Sequence, residues 1–371
     1  MTAKKPGKIL VTYISVGAGH RMAAEAVRRG LARVCPESQV ILFDLLDFWR
    51  RPAVLLGTAL YRSVIRLQPE LYGSPTARSR LSWALRRFCR LNRRAVSNLI
   101  AETEPAVAVC TQALPSLLLS DFRRLSGHPL RQVAVPTDFA VHDYWLEPEI
   151  DCFCLPEPGI RANLLGRGIP REKLKVTGIP VDPAFARELP VGELRRRHGF
   201  SSGQSVVLVM GGGEGTGHLV RLVRELLEEG GGYQLAVVAG KNLRTLARLR
   251  EIQALAGERL KVFGFIESVD ELMAISDIIV TKPGGLTASE ALIKKVPMVL
   301  VDPIPGQETI NADFLVKEGA AILCSHLPRI GKFVGDLLAD PERLEEMRRA
   351  ARKLARPDSA LDVAREIATL Q

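Results

Sequence analysis

The chain has 371 residues, a length that suits about two domains. Apolar residues make up 47% and charged residues 25%, an ordinary globular balance that excludes disordered and fibrous classes. Lysine and arginine (51) exceed aspartate and glutamate (41), giving a formal net charge of +10, and no apolar run reaches the ~18 residues of a spanning helix.

The first apolar run, KILVTYI, leads straight into the loop SVGAGH and has no small-residue cleavage site. It reads as a β-strand and not a signal peptide, which makes the cytoplasm the expected compartment. MAAEAVRRGLARV follows with helical spacing, then QVILFD as a strand. The six cysteines (35, 89, 110, 152, 154 and 324) are scattered and form no C-x-x-C, so buried thiols are expected rather than disulfides or a zinc site.

Residues 48–95 hold eleven arginines, no lysine and one acid, Glu70, so this segment alone nets +10. Phe48, Trp49, Tyr61, Tyr72, Trp83 and Phe88 lie among them. LLGTALYRSVIRLQ and RLSWALRRFCRLNRRAV repeat apolar residues at helical spacing. A basic amphipathic helix with aromatics suits an anionic membrane surface, and the plainer alternative is a helix pair with a solvated arginine face. Nucleic acid would need the same charge, but no RNA or DNA motif accompanies it.

Beyond this insertion, AVAVCT, QVAVPTD, IDCFCLP and KLKVTGIP read as buried parallel strands separated by helices. The pattern breaks at PVDPAFARELPVGELRRRHG and restarts with SVVLVMGGG, YQLAVVAG, RLKVFGF, DIIVTKPGG and VPMVLVD, again alternating with helices. Two βα arrays predict two doubly wound α/β domains, whose ligand crevices lie at the carboxyl ends of the strands. The expected division is 1–184 with the basic insertion, 185–345, and terminal helices over 346–371 that can pack back on the first domain.

The glycine clusters fall at those strand ends. In TKPGGLTASEA a strand ends at Thr281–Lys282, Pro283–Gly284–Gly285 turns tightly, and a helix starts near Leu286 or Thr287. Free N–H groups and the helix dipole there suit a diphosphate. Glu290 can accept hydrogen bonds from two ribose hydroxyls, or simply complement the dipole. Gly212, Gly213, Glu214 and Gly215 form a second candidate phosphate nest, matching neither the dinucleotide fingerprint nor an NTPase P-loop. No D-x-D triplet occurs, so amides and side chains, without a metal or cofactor, are expected to neutralise a leaving diphosphate. His20 ends GAGH and can act as a base near neutral pH, or bond to backbone as a helix-start residue. Asp138 in PTDF can orient a histidine, act as the base, or cap a helix, and His142 follows on the same strand-end segment. Gln307, Glu308 and Asn311 share one helix face and suit sugar hydroxyls.

In combination, S-x-G-A-G-H at 15–20, P-T-D-F with H-x-x-W at 136–145, TGIPV at 177–181, MGGGEG at 210–215, AGKN at 239–242, VFGF at 262–265, TKPGGLTASEA at 281–291 and PGQETINADFL at 305–315 resemble the monogalactosyldiacylglycerol synthase and processive diacylglycerol glucosyltransferase family. The resemblance covers most of the chain. It implies a GT-B fold, two Rossmann-like domains facing an interdomain cleft, and an inverting transfer of a hexose from a UDP-sugar to a lipid such as diacylglycerol. It further implies that Glu290 holds the ribose, that backbone around Phe265 and Ile266 binds uracil, and that Gly284, Gly285, Leu286 and Thr287 beside Lys282 take the diphosphate. Gly240 lies in the AGKN segment of the same donor domain. Gln307 and Glu308 would meet the donor sugar, with Asn311 on their face, and His20 with Asp138 would serve the acceptor. The basic insertion would meet membrane and acceptor at the inner face of the cell membrane. Two alternatives stand: an enzyme like the UDP-N-acetylglucosamine 2-epimerases on the same architecture, and a non-catalytic basic protein that binds membrane or nucleic acid.

Overall fold

The computed structural model describes residues 7–15, 18–49, 75–211, 219–228 and 232–371. Gly212, Gly213, Glu214 and Gly215, and the helix expected over 55–68, lie outside the described residues. The described part forms two compact units, one containing the first strand, His20–Asp182 and Asp358–Gln371, the other Pro183–Pro357.

The first unit is built on β1 (Lys8–Tyr13), β2 (Gln39–Asp44), β3 (Val107–Cys110), β4 (Arg131–Ala134), β5 (Cys152–Leu155) and β6 (Leu174–Val176). All pair in parallel, in the order β2-β1-β3-β4-β5-β6. Both faces are buried, which is why the strands read as continuous apolar runs. Ile9, Val11, Val107 and Val109 enter one core, while Leu10, Ala108 and Cys110 enter the other. The helices are α1 (Gly19–Val34), α2 (Pro75–Thr103), α3 (Ala113–Ser126) and α4 (Pro158–Gly166). Helix α3 is bounded by local chemistry: Gln112 Oε1 accepts from Leu114 N at 2.6 Å, and Gly127 adopts φ 65° at its end.

The second unit carries β7 (Ser205–Met210), β8 (Tyr233–Val238), β9 (Leu260–Phe263), β10 (Ile278–Thr281), β11 (Met298–Leu300) and β12 (Ala321–Leu323). They form a parallel sheet in the order β12-β11-β10-β7-β8-β9, the Rossmann arrangement read from its far edge. Its helices are α5 (Val191–Arg197), α6 (Leu219–Glu228), α7 (Leu243–Ala256), α8 (Val269–Ile275), α9 (Gly285–Lys294), α10 (Gln307–Lys317), α11 (Ile330–Leu338) and α12 (Pro341–Leu354).

Helix α12 supplies Leu344 and Met347 to the second core. The chain then returns to the first unit as α13 (Ser359–Ala368), whose Val363, Ala364 and Ile367 join the core beneath β1. Val181 N donates to Ser359 Oγ at 3.2 Å, fixing the start of α13. Gly30 of α1 lets this helix approach closely, since a Cβ there would stand 2.3 Å from the Ala360 carbonyl oxygen.

The carboxyl half of the arginine-rich insertion is α2. Phe88 packs against the first core and Cys89 is buried within it. Phe48 also packs there, its ring centroid 4.9 Å from that of Phe43. These two aromatics, expected among interfacial side chains, are partly buried and pack against the core. Arg87, Arg90, Arg94 and Leu91, which is 74% exposed, share the outward face. No helix among the described residues is long and apolar enough to cross a membrane.

Candidate functional site

In the first unit the strand order reverses between β1 and β3, the kind of switch point beside which open α/β sheets bind ligands. His20 starts α1 just after β1, and Thr111 directly follows β3. His20 Nδ1 lies 3.0 Å from the Thr111 carbonyl oxygen and 2.9 Å from Thr137 Oγ1. Thr111 Oγ1 in turn donates to the His20 carbonyl at 2.9 Å. A carbonyl only accepts, so Nδ1 carries the ring hydrogen and Nε2 keeps the basic lone pair. Backbone bonding and base chemistry are thus compatible at His20: one nitrogen fixes the tautomer that frees the other.

Burial lowers the His20 pKa below its ordinary 6.5, opposed by the negative charge of Asp138 and by the bond to Thr111. The free imidazole form is therefore favoured at neutral pH. Asp138 is half-buried on the segment after β4 and acts on His20 through its field. His142, further along, is pushed down to about 4 by burial, opposed by Asp143 and reinforced by His20. Its Nδ1 is buried without a hydrogen-bond partner. Its ring packs near those of Tyr144 and Trp145, at centroid distances of 5.6 and 6.3 Å.

In the second unit the order reverses between β7 and β10. The segment after β7 lies outside the described residues. After β10, Gly284 N donates to the Lys282 carbonyl at 2.8 Å, closing the turn, and Ala288 N bonds the Gly284 carbonyl at 3.0 Å as α9 begins. The N–H groups of Gly285, Leu286 and Thr287 have no acceptor within the helix, and Gly284 supplies no side-chain cap. Those three amides, rather than that of Gly284, are the ones left for an anion. Glu290 sits in the second turn of α9, where burial, reinforced by Asp270, pushes its carboxyl up to about 8. Asp270 is itself buried and lies 3.9 Å from Arg187 Nη2.

Neighbouring strand ends add three features. Gly240, after β8, has φ 65°, a conformation that favours glycine. Phe265, after β9, is 56% exposed, with Lys241 Nζ 4.9 Å from its ring centroid. Ile266 beside it is half-buried. The segment after β11 bends sharply, with φ 45° at Asp302 and φ 103° at Gly306, before α10. Glu308 Oε2 accepts from Ile304 N at 2.8 Å, closing this loop, and Gln307 beside it is half-buried. Asn311 is fully buried and its Nδ2 donates to the Pro283 carbonyl at 3.0 Å. Thr111, Thr137, Lys241 and Asp270 were not among the residues singled out from sequence. Thr111 was findable, because it ends the AVAVCT run at a strand's carboxyl end.

Residues 20–181 match the family model described as monogalactosyldiacylglycerol synthase, and residues 206–363 the glycosyltransferase family 28 C-terminal domain. A processive diacylglycerol beta-glucosyltransferase of Bacillus subtilis (strain 168) is 29% identical over 357 residues, 94% of this chain and 91% of that protein. Among solved structures, MurG of Acinetobacter baumannii superposes with a TM-score of 0.65 at 17% identity, covering 98% of this chain and 100% of that one. A UDP-GlcNAc 2-epimerase from Neisseria meningitidis, bound to UDP-GlcNAc, superposes with a TM-score of 0.63 at 15% identity, covering 98% of each chain. The fold of both units is thus that of the GT-B enzymes.

Proposed function

From the match of residues 20–181 to the monogalactosyldiacylglycerol synthase model and of residues 206–363 to the glycosyltransferase family 28 C-terminal domain, we propose that the chain is a glycosyltransferase of this family and that it moves a hexose from a UDP-sugar to diacylglycerol or a glycosylated diacylglycerol. The second unit binds the donor. The amides of Gly285, Leu286 and Thr287 and the dipole of α9 receive the diphosphate, with Lys282 beside them. Glu290 grips the ribose, backbone near Phe265 and Ile266 reads the uracil, and Gln307 with Glu308 faces the sugar. Gly212, Gly213, Glu214 and Gly215 stay a second phosphate-nest candidate by sequence alone.

The first unit serves the acceptor. His20 Nε2 takes the proton of the attacking hydroxyl while Asp138 stabilises the imidazolium that forms. The hydroxyl oxygen bonds the anomeric carbon as the bond to UDP breaks, inverting that carbon. UDP leaves as an anion stabilised by fixed amides, and no metal is required. The exposed face of α2, with Arg87, Arg90, Leu91 and Arg94, meets anionic lipid at the inner face of the cell membrane, where the enzyme is peripherally bound.

The observation that carries this reading is the His20–Thr111 pair, which leaves Nε2 basic, in a chain aligned over 94% of its length with a diacylglycerol glucosyltransferase. The test is incubation of pure protein with each radiolabelled UDP-sugar and a total lipid extract. Label entering the organic phase with wild-type protein, and not with His20→Ala, supports it. Label that stays in water with every donor overturns it.

A further inference from the structure

Asn311 shares a helix face with Gln307 and Glu308, a pattern that suits contact with sugar hydroxyls. Its surroundings point elsewhere. The side chain is fully buried, and its Nδ2 donates to the Pro283 carbonyl at 3.0 Å. Pro283 belongs to the turn that precedes the open amides of α9. The same turn is closed on its other side by Gly284 N bonding the Lys282 carbonyl at 2.8 Å. Asn311 therefore ties α10 to the turn from beneath.

We propose that Asn311 is a positioning residue, setting the Pro283–Gly284–Gly285 turn so that the first amides of α9 face a nucleoside diphosphate, and holding α10 in register with it. The inference rests on reading that turn as the diphosphate site. A turn of this kind has little side-chain bulk to hold its shape. Gly284 and Gly285 have wide backbone freedom, and the buried carboxamide restrains it at the Pro283 carbonyl. Buried amides that lose their partner are costly, so the bond persists whether or not ligand is present. Preorganised amides bind an anion without reorganising first. The loop entering α10 is fixed independently, by Glu308 accepting from Ile304 N. Gln307 and Glu308 at the start of α10 therefore inherit a defined distance from the turn through Asn311.

The two roles separate by ligand. A residue touching only the sugar leaves UDP affinity unchanged when replaced and weakens the UDP-sugar alone. A residue shaping the turn weakens UDP and UDP-sugar together and spares uridine, which lacks the diphosphate. Calorimetry with uridine, UDP and UDP-glucose is run on wild type, Asn311→Asp and Asn311→Ala. Asn311→Asp keeps the shape and loses the donor; Asn311→Ala removes the polar group without adding charge, so either variant that folds provides the reading. The expected result is UDP affinity at least ~10-fold weaker with uridine affinity unchanged, as the displaced turn weakens amide hydrogen bonds to a charged ligand. Unchanged UDP affinity in a folded variant overturns the proposal. Equal losses for uridine and UDP also overturn it, because they report general loosening. Failure of wild-type protein to bind UDP at all overturns the donor-site reading instead.

Discussion

Glu290 offers the sharpest test of the proposed donor site, because its charge state in the empty protein differs from the carboxylate that the proposed double contact with ribose hydroxyls uses. Burial and Asp270 push the carboxyl up to about 8. At about pH 7 roughly one molecule in ten carries the carboxylate, so binding that needs the charged form loses about tenfold, or ~1.4 kcal/mol. UDP affinity should rise about tenfold per pH unit from about pH 6 and level off above about pH 8. Binding should release close to one proton in the lower part of that range. Glu290→Gln should abolish this dependence, and Glu290→Ala should weaken UDP at high pH by about 1.5–3 kcal/mol. Calorimetry in buffers of different ionisation enthalpy counts the protons, and subtracting the Glu290→Gln result removes the titration of the phosphate itself. The same group sets a stability slope. Its folded value lies above its ordinary 4.5, so the folded protein holds the proton more tightly than the unfolded chain. Unliganded stability should therefore fall as pH rises from about 4.5 to about 8, with a flatter profile in Glu290→Gln. Binding with no proton release, and a slope equal in both proteins, would refute the assignment.

His20→Ala should abolish turnover and leave UDP affinity unchanged; burial favours the neutral ring, so the acid limb of kcat/KM should lie below the ordinary histidine value, and Asp138→Asn should move it lower still, as a pH–rate series will show. Turnover should survive EDTA, and strict dependence on added Mg²⁺ or Mn²⁺ after chelation would contradict an amide-held diphosphate. Replacing Arg87, Arg90 and Arg94 by Gln should weaken co-sedimentation with anionic vesicles by roughly 1 kcal/mol per residue at the surface while sparing UDP affinity, and wild-type protein that ignores such vesicles would leave these arginines an ordinary solvated face. Gly30→Ala should destabilise the first unit by about 1–3 kcal/mol or more in thermal melts, because its Cβ would stand 2.3 Å from the Ala360 carbonyl oxygen.

The parallel strands were legible because both faces of each sheet are buried, leaving unbroken runs such as VVLV and IIV. Strand β12 escaped notice because Ala321–Leu323 lies at the sheet edge beside β11 and is buried only at Ala321, so it lacks the longer apolar run that marks β11. The glycine clusters at the ends of β1 and β10 marked the crevices, since strand polarity alone dictates where ligand-binding loops emerge. What the residues at those ends do was less legible. Gln307, Glu308 and Asn311 share a polar face whether it meets solvent, ligand or a neighbouring carbonyl, and only the packing of α10 puts Asn311 under Pro283. Phe48 and Phe88 have the same helical or near-helical context as interfacial aromatics, yet both turn to the core. The proton on Glu290 depends first on burial and then on Asp270, which belongs to another helix and has no signature near Glu290 in sequence.

A shared fold does not choose between transfer to an acceptor and epimerisation of the donor. MurG and a UDP-GlcNAc 2-epimerase superpose almost equally well, at TM-scores of 0.65 and 0.63. Both reactions need a site for a nucleoside diphosphate, so the turn before α9 favours neither. The distinction must come from the first unit, where transfer needs a base for a foreign hydroxyl and a route for that acceptor to arrive. Here His20 is held in the tautomer that leaves Nε2 basic, and α2 presents Arg87, Arg90, Leu91 and Arg94 outward while burying Cys89 and packing Phe88 inward. Under the proposed reading that face has a use. It suits an acceptor that remains in a lipid surface, where charge brings the protein to the headgroups and the apolar side chain enters beneath them. Epimerisation would yield a changed UDP-sugar in the absence of lipid, an outcome that separates the two reactions in a single chromatographic run.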